Sequence, residues 1–472
     1  MNRLRKTSIQ LFGCALAALC MQAAGVQAKP NIVFVLADDL GYGGLGCYGS
    51  TFAETPNIDR LAREGMRFTQ GYACAPNCAP SRAAIVSGQY PTRTGILRVQ
   101  DRFKSQKNHI KVVYPKNKHD LDLSTITIAE ALKKEGYRTA FLGKWHMGHG
   151  EEFHASRQGF DLAIESAGKK HFGFKTIPKT DIPKDVYLAD YLTDRSLEFI
   201  DACRKDDEPF FLYLAHYAIH IPLEAKKEYL DRFREKLGAD ANPVVLKAAA
   251  MTASLDDSVG RLIAKLESTG QLENTLFVFS SDNGGYASGG KKDPLSAFNV
   301  PFRGMKKDLY EGGIRVPYIF HWPGKIKPGT VCEEPIIGVD LYPTFVEFAG
   351  GKPETSQILD GESLWPCLLP NGNETLERDA IYWFFPNWTM FNEDKGEWFQ
   401  GWRNAIRQGD YKLIEHVDGG KVELYNLSAD PGEENDLSQS NPEKTAVLQR
   451  KLADWKKHTG APAAVPNPNY TP

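Results

Sequence analysis

Asn31-Ile32-Val33-Phe34-Val35-Leu36-Ala37 runs directly into Asp38-Asp39, and this join decides the fold. The apolar residues from Ile32 to Ala37 leave no polar face, the pattern of a strand buried on both sides in a parallel sheet. Two carboxylates follow its carboxyl end, where open α/β sheets place their sites. Two later runs repeat the arrangement: Phe210 to Ala215 leads into His216 and His220, and Thr275 to Ser280 leads into Asp282-Asn283-Gly284. Three separate segments are thereby expected to converge on one crevice. The oxygen donors Asp38, Asp39, Asp282 and Asn283 suit a hard divalent cation such as calcium. Either acidic pair taken alone reads as a solvated loop or a helix cap.

Outward from these runs, helical and strand patterns alternate. Asn57 to Glu64 is predicted as a helix stopped by Gly65, and Ala129 to Glu135 as another stopped by Gly136. Arg138 to Leu142 reads as a strand, and Tyr187 to Cys203 and Lys247 to Leu266 as long helices. Such alternation implies an α/β domain around a largely parallel sheet. Near residue 365 the texture changes. Gly, Pro and Asn crowd residues 366–373, followed by strand-like pieces at Ala380 to Phe384, Ala405 to Arg407, Tyr411 to Glu415 and Glu423 to Asn426. With a helix over Pro442 to Lys457, these predict a small C-terminal α+β domain with an antiparallel sheet. The expected division is 1–28, 29–365 and 366–472, with only the Pro-rich last dozen residues read as disordered.

The first 28 residues stand apart. Arg3, Arg5 and Lys6 precede an apolar run from Leu11 to Ala24, and Val26-Gln27-Ala28 fits a small-residue cleavage site. This is the layout of a secretory signal, so a secreted or periplasmic protein is expected. No other run approaches the roughly 18 apolar residues of a membrane span. The net charge of −2 would become −5 after cleavage, which gives no general attraction for nucleic acid; any pull on an anionic substrate must be local. Cys47, Cys74, Cys78, Cys203, Cys332 and Cys367 remain, too widely spaced for a zinc module or a small disulfide scaffold.

The most specific local feature is Cys78-Ala79-Pro80-Ser81-Arg82. Pro80 is tolerated early in a helix, so Cys78 is predicted at a helix N-terminus, where the dipole favours negative charge. As a plain thiolate it would be an ordinary nucleophile, but no cysteine-hydrolase pattern accompanies it. This motif resembles the modification motif of the formylglycine-dependent sulfatases, of the alkaline phosphatase-like superfamily. Gly143-Lys144-Trp145-His146-Met147-Gly148 is similar to that family's second motif. The strand with Asp38-Asp39, the Ser281-Asp282-Asn283-Gly284 block and Arg303-Gly304-Met305-Lys306 leading to Glu311-Gly312-Gly313 match as well, as does Glu423-Leu424-Tyr425-Asn426-Leu427 near the end. The resemblance spans about residues 30–440, and Val86-Ser87-Gly88 departs slightly from its usual pattern.

The resemblance implies a large mixed, mostly parallel sheet flanked by helices, and hydrolysis of sulfate esters. It implies that Cys78 is oxidised to formylglycine by a maturation enzyme and serves as nucleophile and additional metal ligand. Asp38, Asp39, Asp282 and Asn283 match calcium ligands. Arg82 matches the residue that holds the formylglycine, and His146 the partner of its hydroxyl. Lys144 and Lys306 match sulfate-binding lysines, with Lys307 the alternative to Lys306. His220 matches the histidine beside the leaving-group oxygen, with His216 the alternative.

Two regions bear on the substrate. Residues 98–119 carry Arg98, Arg102, Lys104, Lys107, Lys111, Lys116 and Lys118 against Asp101, which fits a solvated loop or a basic rim for a sulfated polysaccharide. Trp383, Trp388, Trp398 and Trp402, with Phe384, Phe385, Phe391 and Phe399, fit an interdomain core or a platform for sugar rings. Lys169-Lys170-His171 is a third candidate contact. A sulfated carbohydrate is the expected substrate. A phosphonate or phosphate ester hydrolase, or a non-catalytic glycan-binding protein, is the alternative.

Overall fold

The computed structural model describes residues 29–99, 109–238, 240–287, 293–353, 356–369, 375–392 and 397–471. The expected signal segment, residues 1–28, lies outside them. Nine strands form the main sheet: β1 (Asn31–Ala37), β2 (Met66–Phe68), β3 (Arg138–Gly143), β4 (Leu162–Ala167), β5 (Lys175–Ile177), β6 (Phe210–Ala215), β7 (Thr275–Ser281), β8 (Tyr318–His321) and β9 (Thr330–Cys332). Their order is β9-β2-β8-β7-β1-β6-β3-β4-β5. β1 pairs in parallel with both β6 and β7, and β3 in parallel with β6 and β4. β8 runs antiparallel to β7 and β2, and β5 antiparallel to β4, so the sheet is mixed but mostly parallel.

The period of two along β1 sorts its side chains between two cores. Ile32, Phe34 and Leu36 pack on one face with Tyr213, Val278 and Phe345. Val33 and Val35 pack on the other with Leu255, Val259 and Leu262. Both faces are covered, which is why the run is apolar throughout; each fully buried Val, Leu or Ile contributes about 1.5–3 kcal/mol. The helices that matter here are α1 (Cys78–Ser87), α2 (Leu188–Asp206) and α3 (Pro243–Ser268). The last starts four residues before the predicted Lys247, with Asn242 as N-cap and Pro243 in the first turn.

The C-terminal part builds a four-stranded antiparallel sheet from β10 (Ile381–Phe385), β11 (Arg403–Gln408), β12 (Tyr411–His416) and β13 (Val422–Asn426). Helix α4 (Pro442–His458) packs on β11 and β12, and its Trp455 stacks on Tyr382 of β10 with ring centroids 4.9 Å apart. Trp383 Nε1 donates to Ala73 O at 2.9 Å, tying this sheet to the main domain.

The structure decides two substrate-related readings. Trp383, Trp388, Trp402, Phe384 and Phe385 are at most 2% exposed, so they are core and not a stacking platform; the side chains of Phe391, Trp398 and Phe399 lie outside the description. Arg98 is buried against Tyr114 and donates to Pro115 O at 2.8 Å, so it anchors a loop and does not belong to a basic rim. Arg102, Lys104 and Lys107 lie outside the described residues. The chain end is also placed: Val113 N donates to Val465 O, and Asn467 N to Lys111 O, so backbone pairing holds a Pro-rich tail that composition alone marks as disordered. The six cysteines form no disulfide among the described residues.

Candidate active site

The parallel register brings the strand ends together. Ala37 pairs with Ser281, so Asp38-Asp39 and Asp282-Asn283 leave adjacent strands at one level. Asp39 N donates to Asp282 Oδ1 at 3.2 Å, and Asn283 Nδ2 to Asp39 Oδ1 at 2.8 Å. On the other side of β1, Gly143 pairs with Ala215. Gly143 has φ 122°, and a Cβ there would stand 1.8 Å from Ala215 O; only glycine permits the turn that delivers Lys144. Asp39 and His146 hold left-handed φ of 59° and 63°, at about 1–3 kcal/mol each. Such strain is retained where the surrounding structure fixes a side chain's direction.

Cys78 opens α1, and the N-cap Asn77 side chain accepts from its backbone N–H at 2.9 Å. Its Sγ lies 3.5 Å from Asp38 Oδ1, 3.9 Å from Asp39 Oδ1 and 3.1 Å from Lys306 Nζ. One turn on, Arg82 donates to Asp282 Oδ2 at 2.8 Å and to Lys144 O at 2.7 Å, from a wholly buried position. Lys144 Nζ donates to Asp38 Oδ2, and Lys306 Nζ lies 2.6 Å from Asp39 Oδ1. Burial pushes the Cys78 thiol up, but Lys144 and Lys306 outweigh it and bring it down to about 6. Burial works against both ammonium groups, yet the surrounding carboxylates hold Lys144 and Lys306 above their ordinary range. The floor therefore favours an anion over the Cys78 side chain.

His220 Nδ1 lies 2.6 Å from Ile221 O and 2.9 Å from the Tyr217 hydroxyl. Donation to the carbonyl leaves Nε2 facing the site, 3.6 Å from Asp39 Oδ2. His216 is wholly buried with Nε2 2.9 Å from Ser258 Oγ, and burial lowers it to about 3. His146 is held well below the ordinary histidine range by burial and by Lys144. His171 is likewise buried, with Nε2 3.1 Å from His220 O; it supports the histidine loop and is corrected as a candidate contact. Lys307 joins the lining, but Lys306 holds the contact to Cys78.

Single ligand atoms of Asp38, Asp39, Cys78 and His220 all lie within 4.8 Å of one another. Burial raises both Asp38 and Asp282; Cys78 and Asp39 add to this at Asp38, and Asp38 and Asp39 add to it at Asp282. Asn283 Oδ1 is buried with no hydrogen-bond partner among the described residues. A crowd of buried carboxylates beside an unsatisfied amide oxygen fits a hard cation with oxygen ligands. Above this floor opens a cleft of about 720 Å³, lined also by Glu165 and Tyr217. Sequence reasoning missed Tyr217 and Glu165. Tyr217 lies between His216 and His220, and its ring takes Lys144 Nζ at 5.3 Å; nothing in the residue order distinguishes that from a core tyrosine.

The chain matches the Sulfatase family model over residues 30–351 and the model described as N-sulphoglucosamine sulphohydrolase, C-terminal, over 304–458. It is 30% identical over 492 residues to mouse (Mus musculus) N-acetylgalactosamine-6-sulfatase, covering 96% of this chain and 90% of that one. It is 31% identical over 478 residues to human (Homo sapiens) arylsulfatase A, covering 90% and 87%. Among solved structures, Ps i-CgsB in complex with k-i-k-neocarrahexaose superposes with a TM-score of 0.78 at 31% identity, over 93% of this chain and 95% of that one. The phosphonate monoester hydrolase of Agrobacterium radiobacter, at 19% identity and a TM-score of 0.66, shares the fold. With a family match over most of its length and relatives at this identity along nearly all of it, the chain belongs to the sulfatase family of the alkaline phosphatase-like superfamily, enzymes that hydrolyse sulfate esters.

Proposed function

We propose that this sulfatase acts on a sulfated carbohydrate, with Cys78 oxidised to formylglycine as nucleophile. The observation that carries the reading is the placement of Cys78 Sγ, 3.1 Å from Lys306 and beside two aspartates on the floor of a cleft large enough for a sugar ring. Similarity to an N-acetylgalactosamine-6-sulfatase and to a protein solved with neocarrahexaose supports the carbohydrate class. Residues 29–365 are read as the catalytic domain and 366–472 as the smaller one. No described helix is long and apolar enough to cross a membrane; export to the periplasm or medium rests on residues 1–28.

Asp38, Asp39, Asp282 and Asn283 would hold a calcium ion, which supplies positive charge at the sulfuryl oxygens. A formylglycine hydrate supplies two hydroxyls on one carbon, one to attack sulfur and one to expel sulfate afterwards. A serine lacks the second and would stall as its sulfate ester. Lys144 and Lys306 bind the sulfuryl oxygens and neutralise charge that grows in the transition state. Arg82 fixes Asp282 and the Lys144 carbonyl, and so the geometry between floor and helix. His220 donates a proton from Nε2 to the departing alcohol oxygen. His146, kept neutral by burial, accepts a proton from the second hydroxyl.

The test is turnover of neocarrahexaose and N-acetylgalactosamine 6-sulfate beside an aryl phosphonate, with enzyme co-expressed with a formylglycine-generating enzyme. Sulfate release from a sugar, well above phosphonate cleavage, is expected. Efficient phosphonate cleavage with inert sugar sulfates would replace this reading by the phosphonate one.

A further inference from the structure

Resting on the carbohydrate reading, we propose that Glu165 determines specificity by accepting hydrogen bonds from free hydroxyls of the sugar ring that carries the sulfate. Glu165 sits on β4, and its register partner is Gly143, the residue before Lys144. It lines the same cleft as Cys78, Lys144 and His220, an acid in a lining that also presents Lys144, Lys306 and Lys307. Its Oε1 accepts from Ala155 N at 2.8 Å and faces His154 Nε2 at 3.5 Å. That anchoring fixes the carboxylate plane and leaves Oε2 for the cleft. Burial raises its pKa, and the Ala155 N–H and His154 oppose this only in part.

The substrate's chemistry matches this division. The charge of a sulfate monoester ends at the ester oxygen, and the floor lysines take it. The ring beyond is neutral and studded with hydroxyl donors. A fixed, poorly hydrated carboxylate beside that ring gains from hydroxyl donors and repels a second sulfate or a uronic carboxylate at the same position. A site built to bond a hydroxyl also discriminates strongly against analogues that lack it. An aryl sulfate offers no such hydroxyl and should be indifferent to Glu165.

The experiment compares wild-type and Glu165→Gln enzyme, both matured with a formylglycine-generating enzyme. The substrates are N-acetylgalactosamine 6-sulfate, neocarrahexaose and 4-nitrophenyl sulfate, with melting temperatures measured alongside. Glutamine keeps the acceptor for Ala155 N, so the fold should stand. The expected result is a kcat/KM loss of about 10–100-fold on the sugars, a change within about twofold on 4-nitrophenyl sulfate, and an unchanged melting temperature. Equal losses on all substrates, or a lowered melting temperature with parallel losses, would assign Glu165 to the support of His154 and Ala155 and overturn the proposal. Unchanged sugar kinetics would overturn it as well. The wild-type measurements judge the carbohydrate reading separately: an enzyme active on 4-nitrophenyl sulfate but inert on every sugar sulfate sinks that reading, and this one with it.

Discussion

Replacing Lys412 by Met should expose how the small domain holds the catalytic one. Lys412, on β12, has Nζ 2.8 Å from Glu311 Oε1 and 2.9 Å from Glu433 Oε1, and all three side chains are wholly buried. The contact to Glu433 is ionic, without hydrogen-bond geometry. Glu433 Oε2 accepts from Glu311 N at 2.6 Å, and Glu311 lies five residues beyond Lys306. Burial pushes Glu433 up, and Glu311 adds to it, giving about 7; Lys412 does more for Glu311, which ends near 2 despite burial. Methionine matches the lysine stem but leaves two buried carboxylates facing each other, a loss of about 3–5 kcal/mol. At the 2–4 °C per kcal/mol of mid-sized domains, the melting temperature should fall by roughly 6–20 °C at pH 8. The sign with pH follows from linkage. A carboxyl raised in the folded state binds more protons there than when unfolded, so stability declines as pH rises from about 4.5 through its folded pKa. Removing Lys412 extends that window upward, so the deficit should be larger at pH 8 than at pH 6. Thermal or urea melts of wild-type and variant at both pH values measure it. A Lys412→Met chain melting with the wild type at pH 8, or a deficit that grows on acidification, would refute the reasoning.

Other consequences are equally direct. Chelation of divalent cations should abolish sulfate release and calcium should restore it; full activity in excess chelator would remove the metal from the account. His220→Ala should cost about 10²–10⁴-fold on sugar sulfates, whose alcohols leave poorly, and less on 4-nitrophenyl sulfate, whose phenolate needs no proton; equal losses would argue against proton donation by His220. Reversing Lys104, Lys107 and Lys111 to Glu should raise KM for neocarrahexaose in a salt-sensitive way while sparing the aryl sulfate. Kinetics in low and high salt decide it, and uniform effects would mark the loop as structural.

The strand runs announced themselves because a sheet covered on both faces leaves no polar alternation to confuse with anything else. That made β1, β6 and β7 legible, and their ends located Asp38, Asp39, His220 and Asp282 together. The short strands β2, β5 and β9 were not legible: each has three residues, too few for a period, and exists because a neighbour pairs with it. The aromatic cluster at 383–402 was compositionally open, since burial depends on Ala73 and Tyr72 arriving from more than 300 residues earlier. Arg98 misled for the same reason, because a cation counted in a basic stretch gives no hint that Tyr114 and Pro115 enclose it. Glu165 carried no motif; only the pairing of β3 with β4 sets it beside Lys144.

The measurement closest to the central claim is the mass of the Cys78 peptide, read together with turnover, in enzyme made with and without a formylglycine-generating enzyme. The account predicts that active enzyme carries an aldehyde at position 78, with oxygen in place of sulfur and two hydrogens. It also predicts that unmodified chain melts like the modified one yet is nearly inactive. Full multiple turnover by enzyme whose Cys78 remains a thiol, or by Cys78→Ser, would contradict it.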